Sequence, residues 1–178
     1  MTTAQAVDPN VPRSTSTSEI LLDGLVAGII GALLVAGWFL VLDLMAGRAL
    51  YTPALLGRVL LYGSGIAAKT VAIEAIPIAA YTAFHFAAFI GIGIALSYLM
   101  TLFERFPIMF FVLLVLFVCL QVGFFFMDAA LGAQLMGRLK SWTVLIANLL
   151  AAAGMALYLW RRHPSVLKGV DKLWEDEP

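Results

Sequence analysis

Leu25-Val-Ala-Gly-Ile-Ile-Gly-Ala-Leu-Leu-Val-Ala-Gly-Trp-Phe-Leu-Val-Leu42 runs without a charged side chain. An α-helix rises about 1.5 Å per residue, so about 20 apolar residues cover a hydrocarbon layer of about 30 Å. Three further stretches free of Asp, Glu, Lys and Arg follow at residues 78–100, 108–127 and 142–160. The reading is an all-α, polytopic membrane protein with four transmembrane helices. The spans are expected at about residues 24–46, 77–100, 107–131 and 141–160. Together they form one domain over residues 21–160.

Composition agrees with that architecture. The chain is 62% hydrophobic and 12% charged, far from the balance of a soluble domain. Eleven basic residues meet eleven acidic ones, for a formal charge of zero. No global field therefore draws the chain to nucleic acid, and the partner it does imply is the lipid bilayer. The lone cysteine, Cys119, lies inside the third stretch and has no partner for an intramolecular disulfide.

Residues 1–20 are rich in Thr, Ser, Ala and Pro and carry Arg13 as their only base. This reads as a disordered polar tail, without the basic n-region of a signal peptide. Four crossings place both termini on one side. Lys and Arg are nearly balanced between the two sides, and the Arg161–Arg162 pair abutting Trp160 favours a cytoplasmic location for both ends. The expected home is the plasma (bacterial inner) membrane. Residues 161–178 follow as a cytoplasmic amphipathic tail, with Val166, Leu167, Val170, Leu173 and Trp174 at helical spacing.

The two halves echo one another in order. Gly37 to Asp43 resembles Gly123 to Asp128, Leu56-Gly57-Arg58 resembles Met136-Gly137-Arg138, and Tyr81-Thr82 with Ala95-Leu96 resembles Trp142-Thr143 with Ala156-Leu157. A duplicated two-helix hairpin would give such a parallel pseudo-repeat. The connection inside the first hairpin is long and rather apolar. There Thr52 is placed to cap and Pro53 to open a short helix whose Leu55, Leu56, Val59 and Leu60 share a face, with Arg58 opposite. The expectation is an interfacial helix between the first two spans, ended by Gly63-Ser64-Gly65.

Helices in lipid gain nothing from the hydrophobic effect when they meet, so small residues that let backbones approach mark contact faces. Gly24, Gly28, Ala32 and Ala36 recur every fourth residue in the first span. Ala83, Ala87, Gly91 and Ala95 do so in the second. Both stripes are expected to be helix contacts. The third span offers Phe110, Phe111, Leu113, Leu114, Phe117 and Leu120 as a bulky surface instead.

Ionisable groups at membrane depth are costly and point to function. Asp43, His85 and Asp128 are the three candidates, with Gln121, Asn148, Tyr81 and Glu74 at comparable depths. Two carboxylates and an imidazole suit a hard or borderline divalent ion, a proton relay or a polar ligand. The competing reading is structural. The aspartates would pair with Arg48, Arg58, Arg138 or Lys140, and His85 would bond a backbone or hydroxyl group. His85 shares its face with Tyr81, Phe89 and Ile92 and points away from the Ala83–Gly91 stripe. A bis-histidine haem has no second ligand, because His163 lies outside the spans. No nucleophile elbow, zinc-protease helix or phosphate-binding glycine loop is present.

Thr52-Pro53-Ala54-Leu55-Leu56-Gly57 and His85-Phe86 resemble words in small four-helix bacterial membrane proteins known as domains of unknown function. Similar proteins often carry a histidine in the fourth span, where this chain has Ile146 and Asn148. That resemblance implies a four-helix fold and no particular activity. The functional expectation is a non-enzymatic accessory or scaffold subunit, assembling with itself or with other membrane subunits. The alternative is a small transporter or ion-binding protein with an outward-facing pocket of Asp and His.

Overall fold

A computed structural model describes residues 16–63, 71–103, 109–131 and 141–162; side chains at 101–113, 124, 127–131 and 141 fall outside the description. Five helices follow one another: α1 (Thr17–Met45), α2 (Tyr51–Tyr62), α3 (Ala75–Phe103), α4 (Met109–Leu131) and α5 (Ser141–Arg162). Among the described residues, α1, residues Ala75–Met100 of α3 and residues Trp142–Arg162 of α5 are long and apolar enough to cross a membrane. Their outward sides agree, since Leu33, Leu149 and Leu157 are each about half exposed. So much bare apolar surface suits lipid and not water.

α1 starts earlier than the sequence reading placed it. The Ser16 hydroxyl accepts from the Glu19 amide at 3.3 Å, and the Glu19 carboxylate accepts from the Ser16 amide at 3.0 Å. This capping box satisfies two otherwise orphaned donors, so residues 17–20 are helix and not tail. The remainder of the expected tail, residues 1–15, lies outside the described residues, as do the C-terminal segment 163–178 and Met136-Gly137-Arg138.

α1 packs against both α3 and α5. On one side Gly24 meets Ile94, Gly28 meets Ile90, and the Ala32 carbonyl meets His85 of α3. On the other, Asp23 meets Arg162, Gly31 meets Met155, and the Trp38 indole donates to the Thr143 carbonyl of α5 at 3.0 Å. Both neighbours therefore run antiparallel to α1 and parallel to each other. The chain leaves α3 near the Gly24 level and enters α5 near the Trp38 level. Between them α4 buries Leu116 and Leu120 in the shared core, while Leu114, Val118, Val122, Phe125 and Phe126 face outward.

The small-residue stripes need correction. In α1, Gly24, Gly28 and Ala32 are buried as expected, but Ala36 is exposed, and Ala27, Gly31 and Val35 complete the contact. A strict spacing of four drifts about 40° per step around a helix of 3.6 residues per turn, so it leaves the seam within three steps. In α3 the expected stripe points the wrong way. Ala83, Ala87, Gly91 and Ala95 are all exposed, and the buried face is Pro77, His85, Phe89, Gly93, Leu96, Ser97 and Met100.

α2 is also placed differently. It exists where expected and stops at Gly63, whose φ is +81°. It packs against the other helices and does not stand apart from them, because Thr52, Ala54, Leu55, Gly57 and Val59 are buried. Leu55 and Val59 pack with Val144 of α5 beside Phe39 of α1. The α2 backbone at Gly57 rests against the Pro77 carbonyl, where any Cβ would collide. Arg58 is not on a solvated face either; its side chain is 15% exposed. Nor does Thr52 cap the helix through its own side chain, since the N-cap position is Leu50 and Thr52 lies inside.

Candidate functional site

Six of the seven polar candidates have described side chains, and they fall into separate local arrangements. Asp43, on the last turns of α1, is 3% exposed. Its Oδ2 accepts from the Thr52 amide at 2.6 Å and its Oδ1 from the Thr52 hydroxyl at 2.9 Å. The first turn of α2 has amides without helical partners and a positive dipole end, so a carboxylate there is doubly favoured. Asp43 thus caps α2 from a distance, in place of Leu50, which has no side chain to offer.

His85 sits on the buried face of α3 and donates through Nε2 to the Ala32 carbonyl at 3.1 Å. Its ring stacks on Tyr81 with centroids 5.6 Å apart and meets Phe89 at 4.8 Å. The bond crosses from α3 to α1, which makes the imidazole an interhelical tie. Asn148 of α5 donates to the Gln121 side chain of α4 at 3.0 Å, a second tie between spans. Glu74, just before α3, accepts from Arg58 of α2 at 2.8 Å. The backbone of Asp128 is helical in α4, and its side chain lies outside the description.

The structure therefore brings together Tyr81 with His85 and Gln121 with Asn148. It gives Asp43 to Thr52 and Glu74 to Arg58. Among the described residues, no group of three or more His, Cys, Asp or Glu is placed to hold a metal ion.

One polar cluster escaped sequence reasoning. At the opposite end of α1, Asp23 is 5% exposed and accepts from Arg162 Nε at 2.9 Å and from the Tyr158 hydroxyl at 3.2 Å. Asp23 and Asp43 are separated by about 30 Å along α1, so the helix carries a buried carboxylate near each end. The signal was present in the sequence. The four crossings expected from the sequence would put Asp23 and the Arg161–Arg162 pair at one boundary, where opposite charges attract. Ser97, fully buried on α3, carries no mark in the sequence, and its hydroxyl has no hydrogen-bond partner among the described residues.

The words that carried the resemblance have local structural uses. Thr52 engages Asp43, Gly57 lets α2 approach Pro77, and His85 ties α3 to α1. No family model matches the chain, and neither a curated protein nor a solved structure does.

Proposed function

We propose that the chain is a four-span integral membrane protein of the plasma membrane that acts as a non-enzymatic accessory or scaffold subunit, assembling with itself or with other membrane subunits. The observation that carries this reading is the use made of five buried or half-buried polar groups. Asp23, Asp43, His85, Gln121 and Asn148 all bond to other parts of the same chain, and each bond joins two helices. Such ties rigidify a bundle. A transport pocket would instead need some of these groups turned toward a shared space.

A fourth crossing by α4 is supported by the antiparallel register. α3 and α5 run the same way beside α1, so the chain must return between residues 103 and 141. A helix of 23 residues is about 34 Å long, enough for that return. The same register sets the start of α1 beside the end of α5, consistent with both termini on one side. The duplicated hairpin rests on the ordered words of the sequence. Its copies pack differently, because exposed Ala83, Ala87 and Gly91 align with Val144, Asn148 and Ala152, which are buried.

The outward line Ala83, Ala87, Gly91 and Ala95 is the assembly face of this proposal. It has the small side chains that close helix approach requires, and nothing lies within 4 Å of a Cβ placed on Gly91. Replacing Gly91 and Ala87 with Leu is expected to abolish crosslinking between copies, or co-purification with other membrane subunits, while the melting temperature is kept. A wild-type chain that is strictly monomeric in native lipid and retrieves no membrane protein would refute the reading.

A further inference from the structure

We propose that α2 is a two-position strap, docked across one end of the bundle in this structure and able to lie in the lipid interface, with Asp43 as the latch that selects the docked position. Leu55 and Val59 are buried against Val144 and Phe39, while Leu56 packs at the margin. In water, lifting such a face would expose it and be strongly opposed. At a bilayer boundary it exchanges one apolar surrounding for another, since lipid chains are as apolar as leucine. An amphipathic helix with a basic residue on its polar face is stable there. The hydrophobic term therefore discriminates little between the two positions, and specific contacts must choose.

The polar contacts are few, beside close packing of α2 on α3. Asp43 holds the N-terminal end through both Thr52 bonds, Arg58 holds the C-terminal end through Glu74, and Gly57 seats on Pro77. Docking also carries costs that release would remove. The Arg58 Nε is buried without a hydrogen-bond partner, and at the interface it would meet water. Leu50 has φ +63°, a left-handed conformation that opposes its Cβ. Both ends of the strap have pivots, because Gly47 at φ +66° and Gly63 at φ +81° hold backbone angles that only glycine takes without strain. Hinged segments of this kind move by dihedral changes at a few residues.

The test uses the full chain in lipid nanodiscs. Cys119→Ser removes the native thiol, and Val144→Cys places one beneath α2, with Met155→Cys in the core as a separate reporter. The rate of alkylation by a small maleimide that partitions into the bilayer, such as N-phenylmaleimide, is measured for each. Asp43→Ala is expected to speed reaction at position 144 by about tenfold or more, as two bonds to a charged group are lost. Thr52→Val should give a smaller rise, and position 155 should not change. Unchanged rates at position 144 in both latch variants overturn the proposal, as does a parallel rise at position 155, which would mean general loosening. Thr52→Val retains the carboxylate and decides alone if Asp43→Ala fails to insert.

Discussion

Gly28→Ala is the most direct probe of how this bundle is held together. A Cβ at Gly28 would lie 2.5 Å from the Ile90 Cα, 2.5 Å from the Phe89 carbonyl oxygen and 2.8 Å from the Ile90 nitrogen. Carbon atoms rest at about 3.5–4.0 Å, so α1 and α3 must part by about 1 Å. The obstacle is backbone, which cannot rotate aside as a side chain can. A gap of that size forfeits a quarter to a half of the dispersion energy of the atoms lining it. Overpacking a tight contact costs about 1–3 kcal/mol, and the upper half of that range, about 2–3 kcal/mol, applies here. The His85–Ala32 bond lies one turn away and would lengthen with the same movement.

Gly91→Ala supplies the matched control on the opposite face of α3. Among the described residues nothing lies within 4 Å of a Cβ there, so the added methyl meets no other part of this chain. Removing a helical glycine gains at most about 1 kcal/mol. Reversible unfolding in mixed micelles titrated with sodium dodecyl sulfate, followed by circular dichroism, measures both. The reasoning is refuted if Gly28→Ala stays within about 0.5 kcal/mol of wild type, well under the overpacking range. It is refuted equally if Gly91→Ala proves as harmful as Gly28→Ala.

Two other outcomes are expected. Single cysteines at Ser16 and Arg161 should react with an impermeant reagent from one side of sealed vesicles, and cysteines at Arg48 and Ile73 from the other; labelling of Ser16 and Arg161 from opposite sides would remove the antiparallel arrangement of α1 and α5. A double-mutant cycle on Gln121→Ala and Asn148→Ala should return a coupling of about 0.6 kcal/mol, the usual worth of an interhelical hydrogen bond in lipid, and a coupling of zero would mean that α4 is not tied to α5 at this point.

The polar candidates show where legibility stopped. Counting along each helix suggested one polar layer of Asp43, His85 and Asn148, but His85 meets α1 at Ala32, eleven residues and about 16 Å along the helix from Asp43. Partnership did not follow. Asp43 found Thr52 nine positions on because the chain reverses at Gly47 and brings the open end of α2 back onto α1. His85 found a backbone carbonyl, and carbonyls carry no mark in a sequence. Asp23 was readable as a charge at a span boundary, but its pairing required α5 to lie beside α1 and not beyond α3.

By itself the sequence determined which segments are helical and, for α1, α3 and α5, suited to lipid, because apolar length against bilayer thickness is a one-dimensional property. It also located α2 and its glycine stop. Only the tertiary structure decided which side of each helix faces inward. In water, polar and apolar faces announce that choice. In a membrane the surroundings and the interior are alike apolar, so the seam through Gly28 and Gly93 and the bare line through Ala87 and Gly91 look the same along the chain, and only close packing of backbones separates them.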